Sequence, residues 1–128
     1  MNQKNYPKKA VAIRAYNPTQ ETVLTARAGD ILHPLRRDAQ WPGWVWCADE
    51  RGVEAWVPER WLRYTGGKAV LIKDYSSSEL ALQVGQPLTV LAVESAWVLA
   101  ALPGGDIGWA PADCIQAVQE SEQANRGN

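Results

Sequence analysis

An all-β fold, built as two small five-stranded β-barrels in tandem, is what this sequence predicts. Three observations predict it. First, one pattern occurs twice: Tyr16, Gly29, Trp44, Trp56 and Pro58 return as Tyr75, Gly85, Trp97, Trp109 and Pro111. Trp44 to Trp56 is 12 positions, as is Trp97 to Trp109, and each second Trp is followed two residues later by Pro. Second, the copies differ by three residues in each of two gaps: Tyr16 to Gly29 is 13 against 10, and Gly29 to Trp44 is 15 against 12. Length change confined to two gaps is what loops do when the strands between them are kept, and such a repeat takes precedence over any other reading. Third, short runs rich in Val, Ile, Leu and Trp alternate with clusters of Gly, Pro, Asp and Asn, the pattern of many short strands. No window holds a helical period; residues 112–124 come nearest.

In the first repeat, strands are predicted near 11–15, 30–35, 44–48 and 53–57. A long loop separates the first two, and Asp49-Glu50-Arg51-Gly52 turns the last two into a hairpin. Pro34 falls inside the second strand and requires a free edge or a bulge there. In the second repeat the strands are predicted near 69–73, 87–93, 97–102 and 107–110, with a turn at Pro103-Gly104-Gly105-Asp106. Side chains alternate along a strand, so Val45 and Cys47 face the core while Trp44 and Trp46 face outward. Gly29 and Gly85 stand where a positive φ is expected, and Pro58 and Pro111 where a short helical turn begins.

The predicted domains are residues 10–64 and 69–117, with flexible tails at 1–9 and 119–128. Six residues between Leu62 and Ala69 span at most about 20 Å, so the barrels are expected to be neighbours. Gly66-Gly67 lets the chain reverse, and Tyr64 is expected to pack between the barrels. Units of this size are near the lower limit for a core without metal or disulfide; the seven Trp supply the bulk.

Composition narrows the class. Cys47 and Cys114 fall at different points of their repeats, which fits neither a disulfide framework nor a zinc site. The first ten residues are polar and basic, without the apolar core of a signal peptide, and no run is long enough to span a bilayer. The expectation is a cytoplasmic protein without cofactor or metal. Net charge is −1, but residues 1–64 carry ten Lys/Arg against seven Asp/Glu, and residues 65–128 three against seven. That asymmetry could orient the halves against each other or a partner, or be solvated surface charge.

In order, the motifs resemble the Src homology 3 (SH3) domain, whose pattern is Ala-Leu-Tyr-Asp-Tyr, a long loop, Glu-Leu-x-Phe, Gly-Asp, a Trp pair, then Gly-Tyr-x-Pro-Ser-Asn-Tyr-Val. Ala12-Ile13-Arg14-Ala15-Tyr16 and Leu71-Ile72-Lys73-Asp74-Tyr75 stand at the first motif. Glu79-Leu80-Ala81-Leu82 with Gly85 matches the second closely, and Val23-Leu24-Thr25-Ala26 with Gly29-Asp30 less well. Trp44-Val45-Trp46-Cys47 and Trp97-Val98-Leu99-Ala100 stand at the Trp motif. Residues 55–62 and 108–115 stand at the closing motif. The resemblance covers nearly all of residues 10–62 and 69–115.

The resemblance implies a shallow aromatic cleft that takes an extended, proline-containing peptide. Carried over, it assigns Tyr16, Trp44, Trp56, Pro58 and Trp61 to the first cleft and Tyr75, Trp97, Trp109 and Pro111 to the second. Trp61 keeps an aromatic where Cys114 does not, so the first cleft is expected to bind better. Arg14 and Lys73 replace the first Tyr of the family's opening motif and remove one wall from each cleft. Acidic residues that the family uses in its long loop are few: Glu21 in the first repeat, and Glu79 after a shortened loop in the second. With Arg36 and Arg37 bordering the first cleft, its ligand is expected to carry acidic or neutral flanks or to end in a carboxylate.

The leading expectation is therefore a non-enzymatic protein-interaction module. The alternative is a scaffold whose aromatic faces pack between domains or in a homodimer, since Trp in so small a unit also serves as core. Nucleic-acid binding through Arg36, Arg37, Arg51, Arg60 and Arg63 is a weaker reading, and no catalytic constellation is visible. His33, beside Pro34 on an expected edge strand, reads as surface.

Overall fold

Short alternating runs and Gly- or Asp-centred reversals produce strands throughout the computed structural model, which describes residues 6–20 and 22–118. The strands are β1 (Lys8–Ala12), β2 (Thr25–Ala26), β3 (Ile31–Arg36), β4 (Trp44–Ala48), β5 (Glu54–Pro58), β6 (Leu62–Thr65), β7 (Lys68–Leu71), β8 (Tyr75–Ser76), β9 (Pro87–Glu94), β10 (Trp97–Ala101), β11 (Ile107–Pro111) and β12 (Ile115–Ala117). Single 3₁₀ turns, Glu59–Trp61 and Ala112–Cys114, follow Pro58 and Pro111. The fold is all-β, as expected, and has three sheets, none closed into a barrel. No α-helix occurs among the described residues, so none is long and apolar enough to cross a membrane. The window at 112–124 holds the second 3₁₀ turn and β12 as far as it is described.

Strand pairing departs from the expected division. The sheet orders are β11-β10-β9-β1-β12 and β5-β4-β3-β7-β6, with β2-β8 as a separate pair. The first strand of each repeat thus completes the sheet of the other. Two compact units result: a discontinuous one, Met1–Pro18 with Glu79–Asn128, and a continuous one, Thr19–Ser78. They replace the domains expected at 10–64 and 69–117. Relative to the repeats, the chain crosses over within the long loop that follows each first strand.

The cause lies at Gly66-Gly67. These residues do not link two domains; they are the two central residues of a hairpin turn. Their φ values are +58° and +81°, and positive φ at both central positions is what a type I′ turn requires. Thr65 then pairs with Lys68, Tyr64 with Ala69 and Leu62 with Leu71. A two-residue loop holds β6 and β7 side by side in one sheet. Tyr64 is exposed and sits on Arg37 of its own unit, whose guanidinium lies 5.9 Å from the ring centroid.

Both sites of exchange make the same bonds. Gly29 N–H donates to Leu71 C=O and Leu71 N–H to Asp30 C=O in the continuous unit. Gly85 N–H donates to Ala12 C=O and Ala12 N–H to Gln86 C=O in the discontinuous unit. Gly29 and Gly85 adopt φ of +94° and +89°, the left-handed backbone expected of them. Within each unit the Trp-bearing strands keep one register: Trp44 faces Pro58 and Trp46 faces Trp56, while Trp97 faces Pro111 and Leu99 faces Trp109.

Alternation sends Val45 and Cys47 inward, where they are sealed with Leu24, Leu32, Val57 and Leu71. In the discontinuous unit Val98 and Ala100 join Leu80, Leu82, Leu88 and Val90 under β1. Trp46 is half-buried, as an outward residue should be, but Trp44 is not: it is buried. Pro34 sits at a register shift in the β3–β4 pairing, the expected bulge. β3 is nonetheless an interior strand; β7 reaches only Ile31 and Leu32, leaving the Pro34 position without a ladder bond to lose on that side. His33 on it lies 3.5 Å from Glu50.

Lys8 and Lys9, expected in a tail, are strand residues paired with Val90 and Thr89. The tail expected at 119–128, residues 1–5 of the other tail, and Glu21 lie outside the described residues. The exchange also dissolves the charge asymmetry. The continuous unit carries eight Lys/Arg and eight Asp/Glu, and the discontinuous one five and six.

Asp49 organises the β4–β5 turn. One carboxylate oxygen accepts N–H of Arg51 and of Val53, each at 2.9 Å, and the other accepts Arg51 Nη2 at 2.8 Å. Burial opposes its ionisation, but the Arg51 guanidinium and the two backbone donors outweigh burial and hold the carboxyl below its ordinary range.

Two outcomes are expected. Residues 19–78 expressed alone should melt cooperatively, whereas residues 10–64, which lack β7, should not; the opposite pair of circular-dichroism melts would refute the exchange. Asp49 has a depressed folded-state pKa, so its charge stabilises the fold above the ordinary carboxyl value of about 4 and ceases to do so as pH falls below it. Asp49→Asn should therefore show a full stability deficit at neutral pH that shrinks under acid; urea titrations giving a pH-independent deficit would contradict this.

Candidate functional site

The crossover regroups the aromatic residues. Tyr16 belongs to the discontinuous unit and meets Trp97, 6.2 Å away between ring centroids and edge-to-face at 79°. Trp97 in turn stands opposite Pro111 on β11 and opposite Glu94 on β9. Tyr75 packs edge-on against Trp61 at 5.6 Å. Each cleft thus takes its Tyr from one repeat and its Trp and Pro from the other.

The two groups differ in exposure. In the continuous unit Trp44, Trp61 and Tyr75 retain 6, 5 and 4% of their surface, and Pro58 is fully buried. Tyr16, Trp97 and Pro111 are each half-buried. The remaining two Trp of the expected clefts stand apart. Trp109 is buried at 2%, beneath a bridge made by Glu79 and a bond from Leu80 N–H to its carbonyl. Trp56 is half-buried and turned to Trp46, with centroids 5.2 Å apart.

One substitution between repeats explains how the two Tyr hydroxyls are satisfied. Glu79 occupies the place that Val23 has in the other repeat. Tyr16 Oη donates to Glu79 Oε1 at 2.5 Å. Beside Tyr75 there is only Val23 at that position, and Tyr75 Oη donates instead to the Trp56 carbonyl at 2.6 Å. Burial, and then the bond to the negative Glu79, push the Tyr16 phenol well above its ordinary value, so it stays a neutral donor.

The equivalent cations Arg14 and Lys73 each reach the 3₁₀ turn of their own unit. Arg14 lies 3.4 Å from Asp113, with both side chains mostly exposed, a geometry worth little in stability. Lys73 Nζ stands 4.1 Å from the Trp61 ring centroid, a cation–π contact. Trp61 can receive it because that position holds an indole; Cys114 is the equivalent residue in the discontinuous unit.

Both thiols are buried, and burial raises both, Cys47 to about 11. Neither is a thiolate near neutrality. Among the described residues no group of His, Cys, Asp and Glu could hold a metal ion.

Two of these features are not legible in the sequence. The Tyr16–Glu79 bond joins positions 63 apart and had no local signal. The Lys73–Trp61 stack depends on the exchange. The readable signal was Gly-Gly between two short apolar runs, a two-residue hairpin mark. No family model, curated protein or solved structure matches the chain.

Tyr75→Phe takes the donor from the Trp56 carbonyl at the tip of a buried ring and is expected to cost about 1–3 kcal/mol. Tyr16→Phe acts at a half-exposed site where water can replace the hydroxyl, so its cost should be smaller. Equal costs in urea unfolding would contradict the difference in burial.

Proposed function

We propose that each unit is a small SH3-like β-barrel and that the chain is a non-enzymatic module for binding an extended, proline-containing peptide. The working cleft in this reading belongs to the discontinuous unit and is lined by Tyr16, Trp97 and Pro111. The single observation that carries it is the pair of half-exposed rings, Tyr16 and Trp97, set edge-to-face beside Pro111. A polyproline helix loses little entropy on binding, and its rings need such walls. Tyr16 is held in place from behind by Glu79, which reduces the ordering cost of binding.

Moving the cleft changes the expected ligand. Its border carries Glu79, Glu94 and Asp113 against one cation, Arg14, so neutral or basic flanks are favoured over the acidic ones expected beside Arg36 and Arg37.

A second, structural role is favoured for the aromatic group of the continuous unit. Trp44, Pro58, Trp61 and Tyr75 are buried, and large rings in a small unit supply core area.

Peptide arrays test the division. Trp97→Ala is expected to abolish capture of proline-containing peptides while leaving the melting curve nearly unchanged. Trp44→Ala should cost about 3–5 kcal/mol of stability, the usual range for truncating a buried aromatic, and leave capture intact. Loss of capture on Trp44→Ala with retention on Trp97→Ala would reverse the assignment, and an array with no captured peptide would remove it.

A further inference from the structure

We infer a second binding site, on the continuous unit, in which Arg36 takes a carboxylate of an acidic peptide. Trp46 and Trp56 stand directly opposite each other on β4 and β5, on the face away from Val45 and Cys47. Arg36, paired in register with Trp46, lays its guanidinium 5.0 Å from one indole centroid and 5.5 Å from the other. Trp46 Nε1 donates to Glu54 Oε1 at 2.7 Å, which fixes that ring. The result is an exposed cation held by two indoles.

What distinguishes Arg36 is that its guanidinium lies over two indoles and, among the described residues, beside no carboxylate. Arg37 donates to Glu59 at 2.6 Å and to the Tyr64 hydroxyl at 3.0 Å, and Arg51 donates to Asp49 at 2.8 Å. Among the described residues no ion pair includes Arg36. Its contacts are to the faces of rings, whereas its N–H donors lie in the guanidinium plane. A planar fork of donors matches a carboxylate through two parallel bonds. The indoles limit the rotamers that Arg36 would otherwise lose on binding, and they displace water around its charge. They also offer apolar surface to whatever side chain adjoins the carboxylate.

Charge selects a peptide over a nucleic acid. A phosphate backbone calls for a run of cations, but Arg37 and Arg51 are neutralised by their own partners, and Glu54 and Glu59 stand nearby. The continuous unit has balanced charge. A fork held between two indoles and bordered by acids suits an isolated carboxylate next to an apolar side chain. The site shares no residue with the Tyr16–Trp97–Pro111 cleft and stands or falls separately from it.

The test uses the intact chain and a short acetylated oligoglutamate at fixed ionic strength, read by the indole N–H resonances of Trp46 and Trp56. Oligoglutamate should shift both; oligoglutamine should not. Arg36→Gln should weaken the response by about tenfold or more, as loss of a charge-assisted pair implies. Arg36→Lys, which keeps the charge but not the fork, should fall between, and Trp97→Ala should leave the response unchanged. Absence of a shift, a shift that survives Arg36→Gln in a folded protein, or a stronger response to oligothymidylate than to oligoglutamate would overturn the inference.

Discussion

The tight reversal at Gly66-Gly67 is the constraint on which the rest of the structure depends. Two residues cannot carry a chain from one unit to the next. They can only fold it back antiparallel, which is why β7 lies against β6 and then β3. Once the first strand of the second repeat is held there, the place it would have filled beside β9 and β12 is open. β1 has the equivalent pattern and occupies it. The loops that follow β1 and β7 are exchanged in turn, and Tyr16 and Tyr75 travel with them.

That exchange decides what each aromatic group can do. Tyr75 is delivered to a unit whose 3₁₀ turn ends in Trp61, and the two rings bury each other. Tyr16 is delivered to a unit with Cys114 at the equivalent place. A small residue there leaves the Tyr16–Trp97 pair half-covered. The same duplicated pattern therefore produces one sealed aromatic group and one partly open group, through a single difference in side-chain volume and a single carboxylate, Glu79.

Much of this was legible in the sequence. Trp44–Ala48 was placed to the residue and the other seven predicted strands within about three, while β2, β6, β8 and β12 were not foreseen; the bulge at Pro34 and left-handed Gly29 and Gly85 were each read from local chemistry. Membership of the units was not legible, for a physical reason. Ala12 and Leu71 offer the same backbone bonds to Gly85 and Gly29, so the strand motifs contain nothing that says which partner each takes. Between two such copies only the connector discriminates, and Gly66-Gly67 reads equally as a reversal between two barrels and as the turn of a hairpin within one sheet. The regrouping of the aromatic residues follows directly from that one connector. Exposure was also beyond the alternation rule: it places Trp44 and Trp46 on one face, yet only Trp46 remains half-open.

The position of β1 has a consequence for biosynthesis. A ribosome makes this strand before its partners at residues 87–90 and 115–117, with the whole continuous unit in between. Residues 19–78 contain all of their own strands and can collapse while translation continues. β1 must stay unpaired until residues 87–90 and 115–117 have been made, exposing a free edge to its surroundings for that interval. Its lysines, Lys8 and Lys9, are the kind of residue that keeps such an edge from joining a neighbour's sheet before its own arrives.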